Sequence, residues 1–490
     1  MQVMFLSPEV WPFHRVGGLA EVAHDLPLAL GARGHRVEVV TPKVKLSPEL
    51  EQTLETLPLT LEVPVSWRRH RAKVQRHRLG PGVTVWFINH DHLFDREGLY
   101  GNAYGEYQDN CERFIFYSRA ALELARALDW RPQVVQANDW TVGLVPLYLK
   151  SLYASHPHLG ASASVMSVHN LANQGLFWHY DMPLTGLGWE FFNPRGIEFY
   201  GKINFLKAGL VFSELITTVS RSYAREILTP EMGCGLEGVL NHRRQRLVAV
   251  LNGVDYHTWN PATDPHLAAN YTAADLGPRQ LCRARLRQTL ELDRHPQRPL
   301  AAFVGRLLDR RGMDILAPAV ERILDMGLLL VFMGQGEDRY HALLTALARR
   351  RPGEMAVHIG FDDALAHQIM AGADLLLMPS RFEPCGLHQM QAMRYGCIPV
   401  ARATGGLKDT VDDHRPQHPG TGFTFSSYSR QALLDALRRA LAAYAQPRQW
   451  QEIMLRAMAK DFSWDSTAPR YEQIYQRAAA LRQENQAHGS

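Results

Sequence analysis

The chain has 490 residues, of which 46% are hydrophobic and 21% are charged. This composition excludes a largely disordered chain and provides enough apolar side chains for two domains with sizeable cores. No stretch approaches the roughly 18 apolar residues of a membrane-spanning helix, so no membrane partner is expected. The formal net charge is +4 with acidic and basic residues interspersed, which argues against a nucleic-acid partner.

The N-terminal residues and the cysteines favour a cytoplasmic protein. The first apolar run, Val3 to Leu6, lacks the length and the basic flank of a secretory signal. The five cysteines are odd in number and show no paired zinc spacing, as expected of reduced thiols. His90 and His92 flank an aspartate in a predicted loop, where a plain loop is preferred to a metal site. We therefore expect neither a metal nor a cofactor.

The first glycine turn follows a predicted strand over residues 2–7. Gly17 and Gly18 precede apolar residues at helical spacing that begin at Leu19. Backbone N–H groups at such a helix start favour an anion, and the guanidinium of Arg15 adds a donor for phosphate. A phosphate-binding turn and a tight turn without a ligand are both compatible with this pattern.

Two alternating segments, residues 59–67 and 83–88, predict a β-hairpin. The densest basic run, Arg68 to Arg78, lies between them. We interpret this run as a solvated hairpin face, with a patch for a nucleic acid or another polymer as the alternative. A strongly amphipathic helix is then predicted over residues 107–127.

Polar side chains follow two predicted strands of the first half. Asp139 and Trp140 follow the strand 133–137, and His169 follows the strand 163–168. Open α/β sheets bind ligands at the carboxyl ends of their strands. The spacing of Asp139 is equally compatible with an N-cap of the next helix, and a lone histidine is also compatible with a structural hydrogen bond.

The second half of the chain repeats the alternation of strands and helices after an irregular stretch at residues 261–278. Gly305 and Arg306 follow one predicted strand, and a loop with Glu383 follows another. This repetition predicts an α/β protein with two doubly wound domains and a cleft between them. Glycine turns beside a carboxylate suit a ligand with a phosphate end and a polyhydroxylated end, as in a nucleotide sugar.

The combined motifs resemble bacterial glycogen synthases and plant starch synthases, which are retaining glucosyltransferases with the GT-B fold. The resemblance extends over nearly the whole chain and is carried by Arg15–Leu19, Asp139–Trp140, His169–Ala172, Phe199–Gly201, Phe205–Gly209, Leu251–Asp255, Gly305–Arg306, Pro379–Leu387, Thr404–Val411 and Asp461–Asp465. It implies a Rossmann-like acceptor domain over residues 1–260 and a Rossmann-like donor domain over residues 261–465. Residues 466–490 are expected to pack back on the first domain.

The resemblance also implies the reaction and the residues that perform it. Glucose from ADP-glucose would join the non-reducing end of an α-1,4-glucan with retention of configuration. The implied catalytic residues are Glu383, His169, Arg306 and Arg311. The implied donor-binding residues are Arg15, Gly18, Phe361, Cys385, Gly386, Leu387, Thr404, Gly405 and Gly406. The implied acceptor or cleft residues are Glu9, Asp139, Asn170 and Asn252.

Departures from the family pattern lie close to these residues. Arg15 and Arg311 stand where lysine is usual, Asn138 where histidine is usual, and Asn173 where an aromatic residue is usual. A planar guanidinium and a compact ammonium do not bind phosphate with the same geometry. Two alternatives therefore stay open: a GT-B enzyme with another nucleotide sugar or a short maltooligosaccharide acceptor, and a glucan-binding paralogue without catalysis.

Overall fold

The computed structural model describes residues 1–102, 104–292 and 296–488. The strands, numbered along the chain, are β1 (Gln2–Leu6), β2 (Arg36–Pro42), β3 (Glu55–Val65), β4 (Arg68–Gly80), β5 (Val83–Asn89), β6 (Gly101–Asn102), β7 (Gly105–Glu106), β8 (Val134–Asn138), β9 (Ala163–Val168), β10 (Leu176–Trp178), β11 (Glu198–Phe199), β12 (Lys202–Asn204), β13 (Leu215–Thr218), β14 (Leu247–Ala249), β15 (Leu300–Val304), β16 (Leu329–Gly334), β17 (Met355–Ile359), β18 (Leu375–Met378), β19 (Ile398–Arg402) and β20 (Phe423–Phe425).

The α-helices are α1 (Leu19–Ala32), α2 (Pro48–Glu51), α3 (Asp91–Phe94), α4 (Asn110–Ala127), α5 (Val145–Lys150), α6 (Met182–Thr185), α7 (Phe205–Phe212), α8 (Arg221–Glu226), α9 (Glu237–His242), α10 (Arg279–Thr289), α11 (Met313–Leu316), α12 (Val320–Asp325), α13 (Asp338–Arg350), α14 (Asp363–Gly372), α15 (His388–Arg394), α16 (Gly405–Thr410), α17 (Arg430–Tyr444), α18 (Pro447–Met458) and α19 (Trp464–His488). No helix among them is long and apolar enough to cross a membrane.

The chain forms two compact units, each with its own hydrophobic core. The first unit contains Met1–Val219, Ala224–Gly253 and the chain from Trp464 onward. The second contains Ser220–Tyr223 and Val254–Ser463. The chain thus enters the main part of the second unit at Val254, earlier than the predicted domain start at residue 261.

Within the described residues, the first unit is built on a nine-stranded sheet in the order β14-β13-β9-β8-β1-β2-β5-β4-β3. The strands from β14 to β5 are parallel, whereas β4 and β3 are antiparallel to their neighbours. Side chains of β1, β2, β8 and β9 are almost completely buried, which explains their continuous apolar runs. The strand order reverses between β1 and β8, so residues that follow these two strands meet at a topological switch point.

The predicted hairpin between residues 59–67 and 83–88 is wrong. The basic run between them is itself the strand β4, which pairs with β3 on one side and with β5 on the other. Its Ala72 and Val74 are fully buried, while Lys73 between them is exposed, as is the preceding Arg71, which pairs with Glu62 on β3. The many charged side chains of β4 therefore hid its alternation of buried and exposed positions, which is the two-residue period of a strand.

The second unit contains, in the part of the chain that is described, a six-stranded parallel sheet in the order β17-β16-β15-β18-β19-β20. This is the order 3-2-1-4-5-6 of a Rossmann fold, with its switch point between β15 and β18. The two loops predicted to hold the donor follow these two central strands.

Helix α19 belongs to the first unit, although it follows the second in the chain. Its Trp464 indole N–H donates to a carboxylate oxygen of Asp25 at 3.1 Å. The buried hydroxyl of Tyr475 donates to the side-chain oxygen of Gln136 on β8. The helix is thus anchored to both α1 and the central sheet.

Candidate active site

Three loops of the second unit meet at the switch point of its sheet. The loop after β15 contains Arg306, the loop after β18 contains Glu383, and the first turn of α16, just after β19, contains Gly406. The Gly406 N–H donates to the Glu383 carbonyl oxygen at 3.0 Å. The Arg381 N–H donates to the Arg310 carbonyl oxygen at 2.9 Å. Backbone hydrogen bonds therefore join the Glu383 loop to both of its neighbours.

Glycines allow this close approach of backbones. Gly405 has φ +44°, and a Cβ there would lie 2.1 Å from the Glu383 carbonyl oxygen. A Cβ at Gly406 would lie 1.9 Å from the Cys385 carbonyl oxygen. No side chain fits such distances, so the start of α16 requires glycine at both positions.

The Glu383 side chain is buried and forms an ion pair with Arg311. The Ser380 hydroxyl donates to the same carboxylate at 3.2 Å. Sequence reasoning missed Ser380, although it stands only three residues before Glu383. A carboxylate held in this way has a fixed position, as is needed to orient a sugar hydroxyl.

Cationic side chains crowd around this carboxylate. Burial, followed by the nearby charges of Arg310 and Arg306, lowers the pKa of Arg311 to about 10. Burial and Arg306 also lower the pKa of Arg310. We call Arg306, Arg310 and Arg311 the arginine cluster. Because these like charges lie close enough to disfavour one another, an anion bound among them would be favoured. Arg310 was missed, although the Arg310-Arg311 pair was visible in the sequence.

The other predicted donor-binding residues of the second unit differ in burial and in their position relative to the helices. Cys385 is buried, Gly386 has φ +71°, and their carbonyl oxygens both accept hydrogen bonds from the Gln389 side chain. Leu387 directly precedes α15, and Thr404 directly precedes α16. Phe361 is 53% exposed in the segment that follows β17.

In the first unit, polar side chains meet at the ends of β8 and β9. Asp139 accepts hydrogen bonds from the backbone N–H groups of His169 at 2.7 Å and Asn170 at 3.4 Å. Its side chain forms no cap of the following 3₁₀ turn, so the N-cap interpretation was wrong. Asp139 has φ +56°, a conformation that is uncommon for a residue other than glycine. Asp139 therefore joins the loops after two parallel strands.

Asn138 fixes the orientation and the tautomer of His169. The Asn138 amide donates to the Leu6 carbonyl oxygen at 2.8 Å, so its own oxygen points the other way. That oxygen lies 3.1 Å from His169 Nε2, which must therefore carry the hydrogen. Nδ1 is then the acceptor atom of the imidazole. The sequence identified Asn138 only as a departure from the family pattern.

Burial changes the ionisation of both members of this cluster. Burial lowers the pKa of His169 to about 4, so the imidazole is neutral near pH 7. Burial raises the pKa of Asp139 to about 7 against the opposing effect of its backbone hydrogen bonds. The two side chains do not form an ordinary ion pair, and His169 acts as a neutral hydrogen-bonding group.

Glu9 orders the first glycine turn. One carboxylate oxygen accepts hydrogen bonds from the N–H groups of Val16 at 2.6 Å and Gly17 at 2.8 Å, and the other accepts from the Tyr100 hydroxyl at 2.8 Å. This role for Glu9 was not indicated by its sequence position, and no sequence signal identified Tyr100. Arg15 in the same turn forms an ion pair with Glu21.

Three further predicted residues lie in the first unit. Gly18 directly precedes α1. The Asn170 side-chain oxygen accepts the N–H of Ala172 at 3.1 Å. Asn252 is buried, and its side-chain oxygen has no hydrogen-bond partner among the described residues.

Comparisons with known proteins agree with this architecture. Residues 2–242 match the family model described as "Starch synthase catalytic domain", and residues 288–454 match "Glycosyl transferases group 1". A glycogen synthase from Anaeromyxobacter sp. (strain Fw109-5) is 47% identical over 485 residues, covering 98% of this chain and 100% of that protein. A glycogen synthase from Myxococcus xanthus is 44% identical and covers 97% and 99% of the two chains.

Among solved structures, the catalytic domain of starch synthase IV from Arabidopsis thaliana, bound to ADP and acarbose, superposes with a TM-score of 0.91. It is 33% identical and covers 98% of this chain and 99% of that chain. A sucrose-phosphate synthase from Thermosynechococcus elongatus shares the fold at a TM-score of 0.61 and 18% identity.

The two Rossmann-like units and the matching family models define a glycosyltransferase of the GT-B class. The predicted fold class and the predicted enzyme class are confirmed. Within that class, the chain belongs to the family of bacterial glycogen synthases and plant starch synthases.

Proposed function

We propose that this enzyme transfers glucose from ADP-glucose to the non-reducing end of an α-1,4-glucan with retention of configuration. The observation that carries the proposal is the arginine cluster beside the buried Glu383 at the switch point of the second sheet. The relatives named as glycogen synthases, and the starch synthase solved with ADP and acarbose, support the choice of donor and acceptor. The second unit is the proposed donor side, and the first unit is the proposed acceptor side.

Charge development in the reaction explains the arginine cluster. Breaking the bond between the glucose C1 and the phosphate oxygen increases negative charge on the departing diphosphate. Arg306 and Arg311 are proposed to bind that diphosphate and to stabilise it most strongly in the transition state. Arg310, with its lowered pKa, adds positive potential from the same loop. Arginines can neutralise this charge without a metal ion.

Glu383 is proposed to hold the donor glucose by its hydroxyl groups, with the backbone around Cys385, Gly386 and Leu387 lining the pocket. In the described structure its carboxylate is paired with Arg311. Because a guanidinium has several N–H donors, donor binding would let Arg311 share them between the carboxylate and the diphosphate. Glu383 thus acts as a positioning acid, and its pairing with Arg311 links the sugar contact to the phosphate contact.

Retention is proposed to arise by transfer on one face of the sugar. The acceptor hydroxyl would attack C1 from the side on which the diphosphate departs, and its proton would pass to a departing phosphate oxygen. No side chain is assigned as a nucleophile beneath the sugar. His169, as a neutral group, is proposed to hydrogen-bond the donor glucose, while Asp139 and Asn170 order its loop. Arg15, Gly18, Phe361, Thr404, Gly405, Gly406, Glu9 and Asn252 stay predicted contacts of donor, acceptor or cleft.

A cytoplasmic location belongs to the same proposal. All five cysteines are unpaired, and four of them are buried. Such thiols suit a reducing compartment.

The test is ADP release from ADP-glucose in the presence of glycogen. We expect release, α-1,4 linkages in the product, and lower rates with UDP-glucose. Arg306→Ala is expected to reduce the rate by roughly 10²- to 10³-fold. Arg438→Ala, which changes an exposed arginine paired with Asp435 elsewhere in the second unit, is the matched control and should leave the rate unchanged.

Other outcomes would select the alternatives. Glycogen binding without ADP release would identify a non-catalytic glucan-binding protein. Faster release from UDP-glucose would identify another donor, and transfer only to maltooligosaccharides would identify a short acceptor.

A further inference from the structure

The first unit carries a row of contacting aromatic rings outside the residues assigned above. We define the aromatic strip as Trp178, His179, Tyr180, Trp189 and Phe192. Ring centroids lie 5.7 Å apart for Trp178 and Tyr180, and 4.1 Å apart for His179 and Tyr180. The distance is 6.1 Å for His179 and Phe192, and 5.7 Å for Trp189 and Phe192. Since each ring contacts the next, the five side chains form one continuous surface.

Much of this surface is open to solvent. Trp178 is 67% exposed, Tyr180 is 71% exposed and Trp189 is 56% exposed. Single exposed apolar residues are common on proteins, but contiguous exposed aromatic side chains mark binding surfaces. The aromatic strip therefore has the character of a binding surface for a partner that packs on ring faces.

The backbone beneath the aromatic strip is fixed by packing and hydrogen bonds. On β10, Phe177 packs against Phe205 at 4.7 Å and Trp140 at 5.9 Å between ring centroids. At the end of that strand, the His179 imidazole hydrogen-bonds to the Gly201 carbonyl oxygen at 3.2 Å. The exposed rings are thus presented by an ordered segment, which lowers the entropic cost of binding.

The same packing connects the aromatic strip to the Asp139 and His169 cluster. Trp140, which contacts Phe177, directly follows Asp139 in the chain. Its ring also lies 6.0 Å from that of Tyr100, whose hydroxyl donates to Glu9. Strand β10, which presents Trp178, is therefore packed through Phe177 on its opposite face against the residue that follows Asp139.

We infer that the aromatic strip is a docking surface for an α-1,4-glucan chain, beyond the glucose unit that accepts the transfer. Pyranose rings present flat C–H faces that pack on aromatic rings, and their hydroxyl groups bond to the polar edges of tryptophan, tyrosine and histidine. The ligand is an uncharged polymer, which matches a strip made of uncharged ring systems. This inference rests on the proposed acceptor, because the strand that presents Trp178 packs against the proposed acceptor side, which favours a glucan over a second copy of the chain.

The test compares a long and a short acceptor in the double variant Trp178→Ala/Tyr180→Ala. Losing two stacking rings should weaken retention in glycogen-containing native gels, and raise the KM for glycogen, by roughly tenfold. The kcat and the KM values for ADP-glucose and maltotriose should stay unchanged, because a short acceptor does not reach the aromatic strip. Trp67→Ala removes a tryptophan that is 81% exposed between β3 and β4, and should behave as the unchanged protein.

Trp189→Ala, in a separate segment, provides an independent variant and should also weaken glycogen retention. Melting temperatures verify that each variant is folded. Unchanged glycogen retention in folded variants would overturn the inference. A change in molar mass by light scattering, without a change in retention, would assign the surface to contacts between copies and would also overturn it. Retention is measured without donor, so a failure of the proposed transfer reaction is seen separately as the absence of ADP release.

Discussion

The ion pair between buried Glu383 and half-buried Arg311 determines which side chains this loop tolerates. Glu383→Ala removes the proposed sugar contact and leaves the half-buried Arg311 without this partner. We expect glucose transfer to fall by at least roughly 10²-fold, measured as ADP release. Glu383→Gln keeps the shape of the side chain and should lose activity with less destabilisation. Near-normal activity in both variants, with folding verified by circular dichroism, would show that the sugar site lies elsewhere.

Asp139 makes stability depend on pH because its folded pKa is raised to about 7 by burial. The unfolded carboxyl has its ordinary pKa near 4, so the folded protein binds more protons between these values. This contribution is fully present below about pH 4 and is lost as the pH rises through 7. Asp139→Asn keeps an oxygen for the His169 N–H but cannot ionise. We compare the melting temperature of the variant with that of the unchanged protein at each pH. This difference should shift in favour of the variant by a few degrees between pH 5 and pH 8.

A control for this pH series is Asp338→Asn, which alters an exposed carboxylate in α13. Its melting-temperature difference from the unchanged protein should not vary with pH in the same way. A pH-independent difference for Asp139→Asn would contradict a raised pKa.

The sequence identified some residues as candidates for the site, but it did not show the contacts of others. Glu383 and Gly405 were visible because loop composition and position after a strand carry the signal. The action of Asn138 on His169 was not visible, because it depends on the Leu6 carbonyl oxygen of a distant strand. The Arg311 contact with Glu383 was likewise set by two loops that are far apart in the chain.

Among the elements, α19 is held in the first unit by a buried side chain and its hydrogen bond. Tyr475 is fully buried, and its hydroxyl donates to Gln136 beneath the central sheet. Tyr475→Ala creates a cavity and leaves a buried amide oxygen without this donor, so we expect a loss of about 3–5 kcal/mol in unfolding free energy. Gln473→Ala changes an exposed neighbour on the same helix and should cost less than about 0.5 kcal/mol. Equal losses of unfolding free energy for Tyr475→Ala and Gln473→Ala in denaturant titrations would contradict the docking of α19.

Strands with continuous apolar runs were predicted well, because both of their faces are buried between helices. Strand β4 was not, because its solvated face carries basic side chains, as at Arg69, Arg71 and Lys73. Buried Ala72 and Val74 set the register of this part of the sheet. An interpretation based on the basic residues around them does not take these two side chains into account.

For the whole molecule, the repeated strand and helix pattern predicted two doubly wound domains, and the sheets have that form. The path of the chain was harder to predict, since no local pattern shows that Ser220–Tyr223 belongs with the second unit. Similarly, the return of the chain to the first unit at Trp464 depends on contacts with distant residues such as Asp25. Contacts of this kind have no signature in local spacing.

The separate cores predict two thermal transitions in calorimetry. ADP is proposed to bind the arginine cluster of the second unit, so an excess of 100 times its Kd should stabilise that unit by about 2.7 kcal/mol. Tyr475→Ala acts in the core of the first unit and should lower the other transition. Arg306→Ala should abolish the shift caused by ADP, whereas Arg438→Ala should preserve it. One transition that responds to both ADP and Tyr475→Ala would show instead that the two units unfold as a single cooperative body.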